Sequence, residues 1–345
     1  MEIVLAFNNL DGTIPTDIKK LSELRKLDLS INKLNGMLQH AVFQIHTLQY
    51  IDLSGNSITG PLPTKLSMPN LTLLFLQMNH PTGSIPAVWN APKLRFLQLY
   101  LNQLTSSLPK GISTLQSLYE LDLSQNNLAG PLPASYGKLS NLSVLWLYQN
   151  RFRHNSIPKS WSGLKSLSDI HLDGVRGSIP STIGQDWPKI RSIDLVNGQL
   201  TGKIPTSICE CHYLSVIKLY NNALRGPLPR CICNMRNVTY IDISNNQVTG
   251  SIPSCIGNLN LSYEMNFSRN NMVGTIPKSV GNLSTLQMFD ISHNSFHGAL
   301  PTSLNSLKII KNINDNHFTS VSGVEEFFTA LYFNTIFSFL EVRVQ

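Results

Sequence analysis

Charged side chains are scarce in this sequence. Only 14% of the 345 residues are Asp, Glu, Lys or Arg, whereas about 25% is usual in soluble domains. Hydrophobic residues make up 42% of the chain. Intrinsically disordered proteins have the opposite composition, with many charges and few hydrophobic residues, so the sequence excludes this class. The chain has enough apolar material to fold around a core.

Clusters of basic charge and long apolar runs are also missing. The net charge is +7, but the 27 Lys and Arg residues are scattered, which argues against a nucleic-acid partner. The longest charge-free apolar stretch near the C-terminus, residues 327–340, is 14 residues long, and a membrane-spanning helix needs about 17 or more. Residues 1–15 lack the basic and apolar regions of a signal peptide. We therefore expect no nucleic-acid partner and no membrane span for this chain.

A repeat of about 24 residues organises the sequence. Between Asn150 and Asn222 two repeats are irregular: one is shortened so that Asp173 and Gly174 directly follow the strand, and the other has Gly198 in the Asn position. Fourteen repeats result, and the last is ragged. The repeats have the form L-x-x-L-x-L-x-x-N-x-L-x-G-x-I-P, and their Asn falls at positions 8, 32, 56, 79, 102, 126, 150, 222, 246, 270, 294 and 316.

The positions of the repeat have mechanical roles. Leu121 and Leu123 alternate with polar residues, so a short strand turns its leucines inward. Asn126 then turns the chain with an amide that can both donate and accept hydrogen bonds. One repeat cannot bury its own leucines, but stacked repeats can. The pattern therefore predicts a solenoid, with a parallel β-sheet on its concave face and short 3-10 or irregular segments on its convex side.

Residues 121–133, LDLSQNNLAGPLP, and 241–253, IDISNNQVTGSIP, resemble the plant-type leucine-rich repeat, whose mark is the L-x-G-x-I-P half. The resemblance covers residues 1–318 and leaves 319–345 as an apolar tail, for which we keep two interpretations, an improvised cap or non-native read-through. It implies an extracellular or cell-surface module of the receptor-like kinase and receptor-like protein family. Such a module recognises a peptide, protein or glycan on its concave face, with a co-receptor as a further partner.

Two other functions stay open at this point. Secreted inhibitors of cell-wall-degrading hydrolases share the repeat and would bind an enzyme with the same face. The family also normally carries a secretion signal and cysteine-bearing caps, whereas this sequence begins at Met1 inside a repeat. We therefore expect a fragment of such an ectodomain, and a non-functional fragment is the third alternative.

The five cysteines all lie between positions 209 and 255. Cys209 and Cys231 are 22 residues apart, as are Cys233 and Cys255, and adjacent repeats would bring each pair to the same flank. We predict these two disulfides, with Cys211 free. A zinc site is disfavoured because C-x-C lacks the usual spacing and only His212 lies nearby, and buried reduced thiols are the remaining alternative.

Glycosylation motifs give moderate support for secretion. Together with the paired cysteines they favour an extracellular origin. The motif Asn-x-Ser/Thr occurs at Asn70, Asn141, Asn237, Asn260, Asn266 and Asn282.

Catalytic motifs are missing from the sequence. The nine histidines fall at different positions of the repeat, and no H-E-x-x-H motif or phosphate-binding glycine loop occurs. Asp28, Asp52, Asp122, Asp242 and Asp290 share one column, but each is followed two residues later by Ser, which indicates a solvated strand face and not a catalytic pair. We expect a binding protein with no enzymatic activity, no cofactor and no metal.

The same Asp and Ser pattern locates a candidate binding surface. Where nothing is recognised, the exposed strand positions should keep Asp and Ser, as Asp52 and Ser54 do. Aromatic residues gathered on one face are typical anchors of a protein-recognition surface, although strand propensity alone also favours them. The pair formed by Asp194 and Val196 also departs from the Asp and Ser pattern, because Val stands in the Ser position. The predicted ligand-binding residues are Phe75, Gln77, Gln98, Tyr100, Trp146, Tyr148, His171, Asp173, Lys218 and Tyr220.

Overall fold

The computed structural model describes residues 1–152, 155–307 and 310–320. These residues wind into a solenoid in which each repeat contributes one strand to a single 14-stranded sheet, in chain order and with all neighbours parallel. The predicted tail, 319–345, lies outside the described residues beyond Ser320. We number repeats 1 to 14 by these strands: Glu2–Val4, Lys26–Asp28, Tyr50–Asp52, Leu73–Phe75, Phe96–Gln98, Glu120–Asp122, Val144–Trp146, Asp169–Asp173, Ser192–Val196, Val216–Lys218, Tyr240–Asp242, Glu264–Asn266, Met288–Asp290 and Ile310–Asn312.

Shorter strands follow the Asn position of many repeats and pair in parallel with their neighbours. They form small side sheets, so most repeats touch at two places along the backbone. These strands are Asp11–Gly12, Lys33–Leu34, Thr59–Pro61, His80–Gly83, Gln103–Leu104, Arg176–Ser178, Gln199–Thr201, Arg225–Pro227, Gln247–Gly250, Asn271–Gly274, Ser295–Ala299 and His317–Ser320.

The convex side is built mainly from single 3-10 turns, each preceded by the proline of the repeat in most cases. Repeats 3 and 4 use strands Lys65–Ser67 and Val88–Asn90 instead, and repeat 8 uses the α-helical turn Ile183–Asp186. The 3-10 helices are Thr16–Lys20, His40–Gln44, Lys110–Thr114, Ala134–Lys138, Lys159–Gly163, Thr206–Glu210, Arg230–Asn234, Ile256–Asn258, Lys278–Asn282 and Thr302–Ser306.

One continuous hydrophobic core fills the space between the main sheet and the convex turns. Leu121 and Leu123 are both 0% exposed, as the alternation in the sequence predicts. Trp161 and Trp187 enlarge the core at repeats 7 and 8. Each indole N–H donates to a backbone oxygen, Trp161 to Pro133 at 3.0 Å and Trp187 to Trp161 at 3.0 Å, so the two large side chains bury no unpaired donor.

The asparagine of each regular repeat joins that repeat to the one before it. Nδ2 of Asn126 donates to the carbonyls of Leu123 and Ser124 in its own repeat and of Leu99 in the preceding repeat. Its Oδ1 accepts the N–H of Leu104 at 3.0 Å. The amide therefore satisfies backbone groups that would otherwise be buried without partners.

We call these asparagine hydrogen bonds between repeats the ladder, and Asn102 shows that the ladder needs a backbone N–H from the preceding repeat. Its Nδ2 makes the usual contacts, but its Oδ1 is buried without a partner. The residue that would donate to it is Pro81, which has no N–H.

The two irregular repeats keep the main sheet continuous. The strands Asp169–Asp173 and Ser192–Val196 pair over five residues, which is longer than the three-residue pairing usual elsewhere in the sheet. Gly198 occupies the Asn position of repeat 9, and a Cβ there would lie 2.3 Å from the Val175 carbonyl oxygen and 2.9 Å from Asn222 Oδ1. The missing Asn is thus a steric requirement of the shortened repeat that precedes it.

Two disulfides join repeats 9, 10 and 11 along one flank. Cys209 pairs with Cys231 and Cys233 with Cys255, with Cα atoms 5.9 and 5.7 Å apart, as the 22-residue spacing predicts. Cys211 is free and buried.

Replacing Gly198 with the Asn of the regular repeats should destabilise the protein. The side chain would collide with the Val175 carbonyl, so we expect Gly198→Asn to lower the free energy of unfolding by about 1–3 kcal/mol, measured by urea denaturation. The reciprocal change, Asn126→Gly, should also destabilise, because it removes the ladder hydrogen bonds. A gain in stability for Gly198→Asn would contradict the steric account.

The disulfide pairing can be checked by mass spectrometry of a non-reducing digest. We expect peptides that link Cys209 with Cys231 and Cys233 with Cys255, and an unlinked Cys211. Each bond closes a loop of about 22 residues, so its loss should cost about 3 kcal/mol of stability by chain entropy. Links from Cys209 to Cys233 or from Cys231 to Cys255 would show the prediction to be wrong.

Candidate functional site

The outward side chains of the main sheet stand in two columns on the concave face. Because neighbouring strands are in register, Trp146 lies beside His171 and His171 beside Asp194. We call this line, the third residue of each strand, the first column, and the residue two positions later the second column. The predicted residues Phe75, Gln98, Trp146, His171 and Lys218 lie in the first column, and Gln77, Tyr100, Tyr148, Asp173 and Tyr220 in the second.

Where the columns keep Asp and Ser, the two side chains satisfy each other. Oδ1 of Asp122 accepts the N–H of Ser124 at 2.9 Å and its Oγ–H at 2.6 Å, and Asp290 makes the same pair of bonds with Ser292. Asp122 is 2% exposed and Ser124 is 0% exposed. The expectation of a solvated strand face is therefore wrong, because strands about 4.8 Å apart leave short side chains below longer neighbours.

Larger side chains replace these pairs in repeats 4, 5, 7, 8 and 10. Gln77 is a second departure from expectation: it is 8% exposed and its Oε1 has no hydrogen-bond partner, so it does not form an exposed contact. The aromatic members of the columns are half-exposed, namely Phe75, Tyr100, Trp146, Tyr148, His171 and Tyr220.

The structure divides the predicted residues into two groups. Phe75, Gln77, Gln98 and Tyr100 lie in repeats 4 and 5, and repeat 6 separates them from the rest with its self-bonded Asp122 and Ser124 pair. The second group lies in repeats 7 to 10, where a ring contact and a close polar contact link Tyr148, His171 and Asp173, and where Lys218 pairs with Asp194. We take this second group as the centre of the candidate site.

Aromatic contacts hold repeats 7 and 8 of the site together. The rings of Tyr148 and His171 stack with centroids 4.0 Å apart and an angle of 17° between planes. The indole N–H of Trp146 donates to Asp169 Oδ1 at 2.7 Å. The bond to Asp169 holds the Trp146 ring in place on the concave surface before any ligand arrives, which lowers the entropy cost of binding.

Carboxylates dominate the electrostatics beside these rings. His171 Nε2 lies 3.3 Å from Asp194 Oδ1 and 3.6 Å from Asp173 Oδ1. Lys218 Nζ lies 3.6 Å from Asp194 Oδ2. Asp173 Oδ2 accepts the backbone N–H of Gln149 at 2.6 Å. In the preceding repeat the equivalent N–H, that of Gln125, donates to the backbone carbonyl of Tyr148, so the Asp173 carboxylate takes the place of a backbone acceptor.

Burial shifts the pKa values of this cluster. It raises the pKa of Asp194 to about 6, although Lys218 opposes the shift, and it raises the pKa of Asp169 and Asp173. Burial and the Lys218 ammonium lower the pKa of His171 to about 4. At pH 7 the imidazole is therefore neutral, and the carboxylates carry more charge than the single lysine balances.

Sequence reasoning omitted Asp194 and Asp169 from the predicted site. Asp194 has the default residue of the first column, and only Val196 in place of Ser signalled that it differs. Asp169 is the first residue of its strand and lies outside both columns. Its role depends on a bond across to Trp146 of the preceding repeat, which no motif within one repeat reveals.

The glycosylation motifs occupy several surfaces. Asn70, Asn141 and Asn237 lie on one flank, where each Nδ2 donates to a carbonyl of the preceding repeat. Asn260 and Asn282 are exposed, and Asn266 lies in the first column with Oδ1 bonded to Ser268. Glycans at these residues stay a prediction.

In residues 1–152, 155–307 and 310–320 no group of three or more His, Cys, Asp or Glu side chains is placed to hold a metal ion. Over the same ranges, no helix has the length and apolarity to span a bilayer.

Comparison with known families finds leucine-rich repeats in four segments of the chain. A family described as "Leucine rich repeat" matches residues 1–58. A second family, described as "Leucine Rich Repeat", matches residues 117–139, 237–259 and 285–307. Receptor-like protein 35 of Arabidopsis thaliana is 32% identical over 112 residues, which is 31% of this chain and 12% of that protein.

Solved structures match over most of the chain. The Arabidopsis receptor kinase HAESA, in complex with the peptide hormone IDA and the co-receptor SERK1, matches with a TM-score of 0.79 and 27% identity, covering 92% of this chain and 58% of that one. The plant peptide hormone receptor RGFR1, in complex with RGF2, matches with a TM-score of 0.73 and 26% identity over 90% of this chain and 58% of that one. The chain thus spans little more than half of these ectodomains.

The raised pKa of Asp194 predicts how stability depends on pH. The charges and titrating groups around it are Lys218, Asp173, Asp169, His171 and Tyr220. Because the folded protein holds the proton more tightly than the unfolded chain, the protonated carboxyl group favours folding below about pH 4, and this contribution is lost as the pH rises through about 6 and the group ionises.

Asp194→Asn should therefore stabilise the protein at pH 7 by about 1 kcal/mol. Thermal melts at pH 7 and pH 4 measure this effect, and the gain should disappear at pH 4, where the wild-type carboxyl is protonated. Equal differences at both pH values would contradict the burial of a charge as the cause.

Proposed function

We propose that this plant-type leucine-rich repeat ectodomain is a receptor-type recognition module that binds a peptide or protein segment on its concave face, centred on repeats 7 to 10. One observation carries the proposal. Regular repeats fill the two columns with Asp and Ser pairs that satisfy each other, whereas repeats 7, 8 and 10 present aromatic and charged groups instead.

The arrangement suits an extended ligand laid across the strands. Trp146 and Tyr148 offer half-exposed rings at one side of the site, and Lys218 and Tyr220 lie three strands away at the other. With strands about 4.8 Å apart, this separation is about 14 Å, which an extended peptide of about four to five residues covers. Aromatic anchors of this kind supply most of the energy at many interfaces.

The similar proteins support the same class of function. The HAESA structure is that of a receptor kinase in complex with a peptide hormone and a co-receptor, and the RGFR1 structure is that of a peptide hormone receptor in complex with RGF2. We propose a peptide ligand and a co-receptor for this chain by analogy with them. The two disulfides fit an extracellular location.

Truncating the central aromatic residue tests the proposal. After screening the purified chain against a synthetic library of secreted plant peptides, the affinity of a binding peptide is measured by calorimetry for wild type and Trp146→Ala. We expect a loss of roughly thirtyfold or more, because a buried aromatic anchor contributes about 2 kcal/mol. Circular dichroism should show an intact fold, since the Trp146 side chain is not in the leucine core.

Asp290→Ala is the matched control. It changes the first column in repeat 13, where Asp290 is bonded to Ser292, and should leave the affinity nearly unchanged. Equal losses in the two variants, or a larger loss for Asp290→Ala, would mean that the aromatic column has no binding role.

A further inference from the structure

We propose, resting on the function above, that repeats 8 to 10 select a cationic ligand: the Asp194 carboxylate receives an arginine side chain of the bound peptide. The chemical class of the ligand is therefore a basic peptide. The proposal starts from an unsatisfied oxygen in the site and not from its acidic composition alone.

Asp194 Oδ1 is the only buried carboxylate oxygen without a hydrogen-bond donor in the part of the chain that the structure describes. The residue as a whole is 6% exposed. An unpaired acceptor at such a position costs free energy, so its persistence requires an explanation.

The cause is one substitution in the second column. In regular repeats Oδ1 of the Asp is capped by the Ser two residues later, as in Asp52 with Ser54, where Oγ–H donates at 2.6 Å and N–H at 2.9 Å. Repeat 9 has Val196 in the Ser position, and Val196 is 2% exposed and carries no donor in its side chain. Asp194 therefore keeps the carboxylate of the regular repeat and lacks the hydroxyl that would satisfy it.

The surrounding charges leave room for one more cation. Asp169, Asp173 and Asp194 face a single ammonium, that of Lys218, which lies 3.6 Å from Asp194 Oδ2 and so attends the other oxygen of that carboxylate. A guanidinium placed between Asp194 Oδ1 and Asp173 Oδ1 would pair with both, in the geometry that favours arginine over lysine.

His171 is the group that now lies over this position. Its Nε2 is 3.3 Å from Asp194 Oδ1 and 3.6 Å from Asp173 Oδ1, and its side chain is 25% exposed. An entering guanidinium takes the place of the imidazole between the two carboxylates. The face of Tyr148, against which His171 stacks at 4.0 Å, then becomes available to the cation.

The net charge of the whole protein does not favour a basic ligand, so the selectivity depends on the charges of the site itself. The chain carries a net charge of +7, so a basic peptide is repelled at long range. A preference for arginine over an uncharged side chain must therefore come from a local excess of carboxylates, because the field of a partly desolvated cluster dominates at short distance.

The test uses a defined probe, the peptide acetyl-(Gly-Ser-Arg)3-amide, and its counterpart in which citrulline replaces each arginine. Citrulline has nearly the same shape without the charge. Calorimetry in about 0.15 M salt, where long-range electrostatics are screened, should show that the arginine peptide binds at least roughly tenfold more tightly, the scale of one charge-assisted hydrogen bond. A lysine version should fall between the two.

Two variants localise the effect. Asp194→Asn removes the charge, and Val196→Ser restores the internal cap while the charge stays, so each should abolish the preference for arginine over citrulline. Asp290→Asn is the matched control and should retain it. His171→Ala should bind the arginine peptide as well as wild type or more tightly, because it removes only the covering ring.

The outcomes separate this inference from the proposed function. If peptides from the secreted-peptide library lose affinity in Trp146→Ala but not in Asp194→Asn, the concave face binds peptides and the cationic preference is wrong. If no peptide depends on Trp146, the proposed function itself fails. An imidazole pKa above 7 for His171, measured by NMR titration, would also overturn the inference, because a protonated His171 would already neutralise the carboxylates.

Discussion

The asparagine amide that joins each repeat to its predecessor is the interaction on which the rest of the structure depends. A leucine-rich turn buries its apolar side chains only when another turn lies against it, and the amide fixes that contact through donors and an acceptor shared between repeats. Because nearly all regular repeats use their Asn in the same way, with Asn102 lacking only the donor to its Oδ1, the strands stay in register. Register, in turn, aligns the outward side chains into columns.

The ladder is interrupted at repeats 8 and 9, and the candidate site lies there. Repeat 8 has no Asn at the usual position, and the Asp173 carboxylate accepts the N–H of Gln149, whereas the equivalent N–H of Gln125 donates to a backbone carbonyl, that of Tyr148. Gly198 leaves space for the displaced Val175 carbonyl. The chain thus keeps a continuous sheet through a region where one backbone N–H is bonded by an acidic side chain, and that side chain, Asp173, lies on the concave surface.

Hydrogen-bond satisfaction distinguishes inert from available groups on that surface. Asp122 and Asp194 share a column, and burial raises the pKa of both to about 6. Asp122 is capped by Ser124, whereas Asp194 has Val196 beside it. The difference between a structural carboxylate and a candidate recognition group is therefore one hydroxyl, two residues away.

The spacing of residues within one repeat or between adjacent repeats is enough to predict the repeat number, the inward leucines, the disulfide pairs and the columns. The sequence alone therefore predicts these features. It did not reveal that the Asp and Ser pairs are buried, that Gln77 is covered, or that repeat 6 divides the predicted surface. Nor did it identify Asp169 and Asp194 as members of the site. These features depend on contacts between side chains of neighbouring repeats, such as Trp146 with Asp169, and only stacking the repeats at close strand spacing brings such atoms together.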